Sequence, residues 1–129
     1  MVEGLYHVWF STKGRRHALE GELRDHVKAL LMETAERTGI RPIQVEVAVD
    51  HAHLLLAVTG SRTLSSAMHQ LKGASARHVF LKYPGLKLDM GHNSFWKKGY
   101  GWRKITTAEG PAVRNYIRTQ PDRPVRHNA

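Results

Sequence analysis

Apolar residues alternate with polar ones in two stretches of the chain, residues 5–12 and 43–49, which predicts two β-strands. A third strand is predicted in the apolar residues 53–58 and a fourth in residues 100–105. Successive side chains of a strand point to opposite faces of a sheet, so each stretch can bury one face. Asp50 marks a tight connection from the second stretch into the third, or its carboxylate orients one of the imidazoles that follow it.

Three other segments repeat their apolar residues at helical spacing. The predicted helices cover residues 20–38, 63–82 and 107–120. Gly39 is placed to end the first helix, Ser61 or Thr63 to cap the second, and Pro121 to end the last.

The order β-α-β-β-α-β-α is that of a ferredoxin-like α+β fold with an added C-terminal helix. Residues 86–93 are interpreted as a loop and residues 121–129 as a loose tail. In such a fold an antiparallel βαββαβ sheet carries both crossover helices on one face. Leu54 and Leu56 would point to that face and His53 to the other, where the last helix can dock.

Length and composition narrow the range of functions. The chain has 129 residues, 41% of them hydrophobic, which predicts one compact domain over residues 1–129. A net charge of +9 favours polyanions, above all nucleic acid, although a basic surface kept for solubility has the same composition. The absence of cysteine excludes disulfides and thiolate chemistry. We find no signal peptide and no membrane-spanning apolar run, so the expected location is the cytoplasm.

Two pairs of residues carry candidate chemistry. His51 and His53 are two residues apart on a predicted strand, so both imidazoles can close on one cation. Tyr116 and Gln120 are four residues apart, which places a phenol and an amide on one helical face. Two imidazoles and an amide oxygen can bind a metal while a phenol attacks a phosphate. Ordinary interpretations remain open. The histidines could be half-exposed strand residues, the Tyr116 ring could serve packing alone, and Gln120 could simply end its helix.

Basic residues form three groups, of which the last is close to aromatic residues. The candidate DNA-binding residues are Lys13, Arg15 and Arg16 after the first strand, Lys72 and Arg77 on the second helix, and Lys97, Lys98 and Arg103 around the fourth strand. The last group is interleaved with Phe95, Trp96, Tyr100 and Trp102. Single-stranded nucleic acid needs charge for its phosphates and flat partners for its unstacked bases. A solvated charged surface around core aromatics would give the same pattern.

Four stretches match the motifs of one known family in the right order. They are residues 6–13 with Arg15-Arg16, residues 50–55, residues 71–77, and Tyr116-Ile117 with Gln120. In these motifs, across roughly residues 5–120, the chain resembles the single-tyrosine HUH transposases of the TnpA type (U being a hydrophobic residue). Members of this family, which includes relatives associated with REP sequences, mobilise small insertion sequences of bacteria and archaea.

The resemblance implies a transposase that cleaves and rejoins single-stranded DNA and recognises hairpins at the ends of its element. His51, His53 and Gln120 would hold a divalent metal ion, Mg²⁺ or Mn²⁺, at the scissile phosphate. Tyr116 would attack that phosphate and form a 5′-phosphotyrosine. By ligand type alone, two imidazoles would also suit zinc.

The resemblance also implies a homodimer, in which the tyrosine helix of many members completes the active site of the partner subunit. Gly110-Pro111 is either a hinge for that helix or an ordinary turn. One departure from the family concerns Gln120: Pro121 follows it directly, so the helix ends at the presumed ligand. Gln120 is therefore less well supported than the two histidines.

Two functions from other classes fit the same residues. The first is a non-catalytic nucleic-acid-binding module of ferredoxin-like fold, for which Tyr116→Phe would change nothing. The second is a metal-dependent hydrolase that acts through water, with Tyr116 in a structural role.

Overall fold

A four-stranded antiparallel sheet is the framework of the protein, as the sequence pattern predicts. The computed structural model describes residues 4–59, 63–90 and 94–120. The strands are β1 (Gly4–Ser11), β2 (Ile40–Val47), β3 (His51–Val58) and β4 (Gly101–Ile105), and they lie in the order β2-β3-β1-β4. The helices are α1 (Gly21–Arg37), α2 (Leu64–Lys82), α3 (Pro84–Asp89) and α4 (Gly110–Arg118). A 3₁₀ turn at Lys13–Arg15 follows β1.

One face of the sheet is covered by α1 and α2. Val8, Leu54 and Leu56 of the central strands are buried there with Leu31 of α1 and Leu71 of α2. Burial of this many aliphatic side chains is the main favourable term in folding. The predicted position of both crossover helices is confirmed.

The opposite face of the sheet, called here the α4 face, is covered in part by α4. Val113 and Ile117 of α4 are buried against Leu55 of β3 and Ile105 of β4. Since Leu55 lies between the inward-pointing Leu54 and Leu56, β3 is apolar on both faces. The predicted ferredoxin-like α+β fold with an added C-terminal helix is confirmed.

Strands β2 and β3 both begin earlier than the sequence pattern indicates. Pro42 interrupts the pattern of β2, yet the strand starts at Ile40 and shifts register between Pro42 and Gln44. A proline is tolerated here because β2 is an edge strand. β3 starts at His51, opposite Ser11 of β1.

The segments before and after α2 add to the prediction in one case and differ from it in the other. The hydroxyl of Thr63 accepts a hydrogen bond from the Ser66 amide at 3.1 Å, so Thr63 caps α2, as one of the two predicted alternatives. Residues 84–89, predicted to lie at the edge of or within a loop, instead form α3. Pro84 begins it, because a first-turn residue needs no N–H partner.

The remaining predictions for connections fall partly outside the described structure. Ser61, the end of the predicted loop at residues 91–93, Pro121 and the predicted tail at residues 121–129 lie outside the described residues. Within the described part of the chain, no helix combines the length and the apolar character needed to cross a membrane.

Candidate active site

The two predicted metal-binding histidines lie together at the start of β3. Their rings are 4.9 Å apart between centroids, and both side chains are half-buried on the α4 face. His51 is paired with Ser11 and His53 with Trp9, both on β1. The HUH spacing therefore places both imidazoles on one face of a strand, as predicted.

Asp50 orients His51. Its carboxylate oxygen Oδ1 lies 2.6 Å from Nδ1 of His51, and its Oδ2 lies 3.5 Å from Nε of Arg15. Asp50 is fully buried, and its backbone carbonyl accepts the Thr12 N–H at 2.9 Å. A carboxylate at Nδ1 favours the tautomer that carries its proton there, which leaves Nε2 of His51 as the nitrogen that could bind a metal.

His53 is held in the same way by a third histidine, His7. Nε2 of His7 lies 3.0 Å from Nδ1 of His53, and the rings are 5.3 Å apart between centroids. For His53 to bind a metal through Nε2, its Nδ1–H must donate to His7. Sequence reasoning missed His7, although the alternation of β1 places it on the α4 face.

Both members of this histidine pair are neutral at pH 7. Burial, aided by the positive charge of Arg103, lowers the pKa of His7 to about 4. Burial, with smaller contributions from His51 and His7, lowers the pKa of His53 to about 3. A metal ligand must be deprotonated, so the environment keeps His53 in the state that coordination requires.

The structure places Tyr116 beside the histidines of its own chain. The centroid of its ring is 6.1 Å from that of His53 and 6.0 Å from that of His7. Tyr116 is 42% exposed, unlike Val113 and Ile117 on the same helix. It therefore projects from the edge of the α4 packing surface rather than into it.

Gln120 is tied to the backbone of the tyrosine helix. Its side-chain amide donates to the carbonyl oxygen of Tyr116 at 3.4 Å. Within the described residues it makes no hydrogen bond to His51 or His53, and no three His, Cys, Asp or Glu side chains are grouped to hold a metal ion. The donors that could serve a metal are therefore two imidazole nitrogens and the neutral amide oxygen of Gln120.

The basic turn after β1 is linked to the histidines through Arg15 and Asp50. Arg15 itself has a positive φ of 52° and follows Gly14, at 68°. Lys13 and Arg16 are exposed beside it, and the Arg16 guanidinium donates to the carbonyl of Asp89. The turn thus carries positive charge next to the site.

The other predicted DNA-binding residues have different surroundings. Lys97 and Lys98 are exposed, and Arg103 forms an ion pair of 3.3 Å with Glu109 on the α4 face. Lys72 donates to the carbonyls of Lys97 and Gly99, and burial lowers its pKa.

Arg77 lies on α2, on the opposite side of the sheet from the α4 face. It lines a shallow cleft between α1 and α2, together with Thr34, Arg37 and His69. Because both helices cover the other face of the sheet, the structure does not bring Arg77 together with the histidines.

The predicted stacking aromatics are largely core residues. Phe95 is fully buried, and Trp96 is 3% exposed with its indole N–H donating to Ser75 at 2.9 Å. The expectation that these two stack on bases is wrong, because they fill the core beneath α2. Trp102 is exposed but lies opposite Val8, on the face away from the histidines. Trp9, which sequence reasoning passed over, is the exposed indole on the α4 face.

Known proteins show the same sequence pattern over nearly the whole chain. Residues 2–120 match the family described as IS200-like transposases. The ISDra2 transposase TnpA of Deinococcus radiodurans is 34% identical over 118 residues, which cover 92% of this chain and 84% of that protein. The transposase of insertion sequence IS200 from Salmonella typhimurium is 35% identical over 95 residues, covering 74% of this chain and 62% of its own length.

Solved structures agree with these sequence matches. A transposase from Deinococcus radiodurans R1 superposes with a TM-score of 0.76 at 30% identity, over 93% of this chain and 92% of its own. A REP-associated tyrosine transposase bound to a REP hairpin superposes with a TM-score of 0.67, over 92% of this chain and 67% of that one. At 14% identity the second likeness shows a common fold alone. On the family match and the identity to TnpA, this chain belongs to the IS200-like transposases.

Proposed function

We propose that this transposase cleaves and rejoins single-stranded DNA by transesterification, with Tyr116 as the nucleophile. The observation that carries the proposal is the position of the exposed Tyr116 ring, 6.1 Å from His53 on the α4 face. A phenol close to the pair of imidazoles of His51 and His53 is a nucleophile beside a potential metal site, which is the arrangement that phosphoryl transfer needs. The proposed location of this reaction is the cytoplasm.

In the proposed reaction the Tyr116 oxygen attacks the scissile phosphorus. The new bond joins the phenolic oxygen to phosphorus, and the bond from phosphorus to the 3′-oxygen breaks. The phenol loses its proton, and the departing 3′-oxygen gains one, so a 5′-phosphotyrosine and a free 3′-OH result. Because the phosphodiester energy is kept in this linkage, a 3′-OH can reverse the step without ATP.

The residues present fit a divalent ion, with Nε2 of His51 and of His53 as ligands. When bound, Mg²⁺ or Mn²⁺ would polarise the scissile phosphate and stabilise the charge that develops on it. Gln120 is the proposed third ligand, through its amide oxygen. Its amide nitrogen is held by the Tyr116 carbonyl at the end of the tyrosine helix, so we expect Gln120 to contribute less to metal affinity than the histidines.

We further propose that the substrate carries hairpins and that the exposed cations bind its phosphates. Lys13, Arg16, Lys97 and Lys98 are exposed, as phosphate contacts require. Arg15 and Lys72 would act indirectly, Arg15 by holding Asp50 and Lys72 by holding the backbone of residues 97–99. Arg77 would bind DNA only if the DNA extends around α2.

The proposed assembly is a homodimer. Since Tyr116 lies beside the histidines of its own chain, the geometry supports an active site formed within one chain, although family resemblance also allows a shared site. Sedimentation at micromolar concentration should show a dimer. A monomer that remains fully active would contradict this part of the proposal.

A denaturing gel tests the proposed reaction. Labelled single-stranded DNA from the ends of the element is mixed with the protein, with and without Mn²⁺, and Tyr116→Phe is run in parallel. We expect a metal-dependent protein–DNA adduct that Tyr116→Phe cannot form. Binding without an adduct would instead identify a non-catalytic module, and cleavage that persists in Tyr116→Phe would identify a hydrolase that uses water.

A further inference from the structure

Trp9 is an exposed indole in the interior of the sheet, at the open end of the α4 face. β1 lies between β3 and β4, and Trp9 is opposite His53 on one side and Gly101 on the other. Yet 38% of its surface is exposed. The reason is that Val113 and Ile117 of α4 pack on the other end of this face, against Leu55 and Ile105.

Gly101 makes room for the Trp9 ring. A Cβ at this position would lie 2.1 Å from two indole atoms of Trp9, so the ring occupies the space where any other side chain would begin. An aromatic ring against a cross-strand glycine is a known way to stabilise strand pairing. Contact with Gly101 also holds the flat indole of Trp9 in one orientation, whereas a tryptophan without such a contact can rotate.

The neighbours of Trp9 connect it to the proposed nucleophile. Its ring centroid lies 4.9 Å from that of His7, and the His7 ring lies 6.0 Å from that of Tyr116. Arg103, opposite His7 on β4 and paired with Glu109, lies half-exposed on the same face. The Trp9 ring, the His7 ring and the proposed nucleophile therefore follow one another across the α4 face.

We propose that Trp9 is the stacking platform for an unpaired base next to the phosphate that Tyr116 attacks. The inference rests on the proposed single-stranded substrate and adds to it a base-binding subsite built from Trp9 and Gly101. Stacking accepts any base, since every base has a π-face. The platform would thus hold the strand at the site without selecting its sequence, leaving selection to contacts elsewhere.

Tryptophan fluorescence tests this contact directly. In Trp102→Phe protein the remaining indoles are Trp9 and the buried Trp96. The probe is a hairpin oligonucleotide with single-stranded flanks, taken from the DNA beside the gene. We expect quenching that saturates as the DNA binds, and none in the double variant Trp9→Phe with Trp102→Phe. Binding to Trp102→Phe protein without quenching would overturn the proposal, and this result does not depend on the folding of any Trp9 variant, because the native Trp9 is the reporter.

Affinity gives an independent test. Trp9→Leu keeps an apolar cover on Gly101 but cannot stack, and should weaken binding of the same probe by roughly 5- to 100-fold. Gly101→Ala should also weaken it, because the added methyl displaces the indole. The matched control is Trp102→Leu on the opposite face, with a change below about twofold.

The outcomes separate this inference from the proposed function. If the wild-type protein forms the tyrosine adduct and Trp9→Leu binds as tightly as wild type, the stacking platform is wrong and the proposed reaction stands. If Trp9→Leu lowers only the thermal midpoint, Trp9 serves the glycine contact alone and the platform is again wrong. If the wild-type protein does not bind single-stranded DNA at all, the proposed function itself fails.

Discussion

At the scale of single residues, the account depends on how each imidazole is held. The HxH spacing could be read from the sequence because a strand fixes which side chains share a face. Asp50 could be read as one of two possibilities, since a carboxylate next to His51 is either a turn residue or an acceptor for its imidazole. His7 could not be read, because it is 46 residues from His53 along the chain and meets it only through the pairing of β1 with β3. The sequence holds no local signal for such a contact.

His7 should therefore control metal affinity without touching the metal. His7→Phe removes the acceptor for Nδ1–H of His53, and should weaken Mn²⁺ binding by about 10- to 100-fold, as is typical when such a partner is lost. His7→Gln, whose amide oxygen can still accept, should restore part of the affinity. Mn²⁺ titration followed by electron paramagnetic resonance measures this in the absence of DNA. Wild-type affinity in His7→Phe would show that His53 needs no such partner.

The same histidines predict how stability changes with pH. The pKa is about 4 for His7 and about 3 for His53 in the folded protein, against roughly 6.5 in an unfolded chain. The unfolded state therefore binds more protons than the folded state below pH ~6.5. The free energy of unfolding decreases as the pH is lowered from ~6.5, and it levels off only near pH ~3. Urea midpoints of metal-free protein at several pH values measure this. A urea midpoint that increases as the pH is lowered from ~7 to ~5 would contradict this prediction.

At the scale of elements, the position of α4 decides where Tyr116 lies. The sequence predicts a helix from residue 107, but α4 begins at Gly110. A reciprocal pair precedes it: the Thr106 N–H donates to Oε1 of Glu109 at 2.8 Å, and the Glu109 N–H donates to the Thr106 hydroxyl at 3.2 Å. This is a capping box, which the spacing of threonine and glutamate could have revealed. Gly110 and Pro111 lie in the first turn of α4, where a proline is common in ordinary helices.

Loosening this capping box should affect catalysis more than binding. Thr106→Ala removes the hydroxyl acceptor, so we expect the thermal midpoint to fall by roughly 3 °C and the adduct to form more slowly. Hairpin affinity should stay near wild type, because the exposed cations are unchanged. Thr107→Ala, in the same turn but outside the box, is the matched control. Equal effects of both substitutions would show that the box does not position the tyrosine helix.

At the scale of the whole molecule, composition predicted the polyanion but not the surface that meets it. A net charge of +9 does not tell which cations are free, and folding uses some of them structurally. Lys72 is bound to two backbone carbonyls, while Lys97 and Lys98 remain exposed. In the same way, the aromatic count did not show that Phe95 and Trp96 belong to the core. Such assignments require the packing of α2 on the sheet.

Charge removal at Lys97 and Lys98 should act on binding through salt. The double variant Lys97→Gln with Lys98→Gln should weaken DNA binding, and should reduce the slope of log K against log salt by about 1.4 for a single strand. Binding isotherms at several salt concentrations give that slope. An unchanged slope would show that neither lysine contacts phosphate.

The central claim is that Tyr116 becomes covalently joined to DNA, and peptide mapping of the trapped adduct tests it most directly. The chain has four tyrosines, of which Tyr116 is the one placed beside the histidines in the described structure. After digestion with trypsin and nuclease, mass spectrometry should find a nucleotide joined through its 5′-phosphate to the peptide that carries Tyr116. A nucleotide on Tyr6, Tyr83 or Tyr100, or cleaved DNA with no modified peptide, would contradict the account.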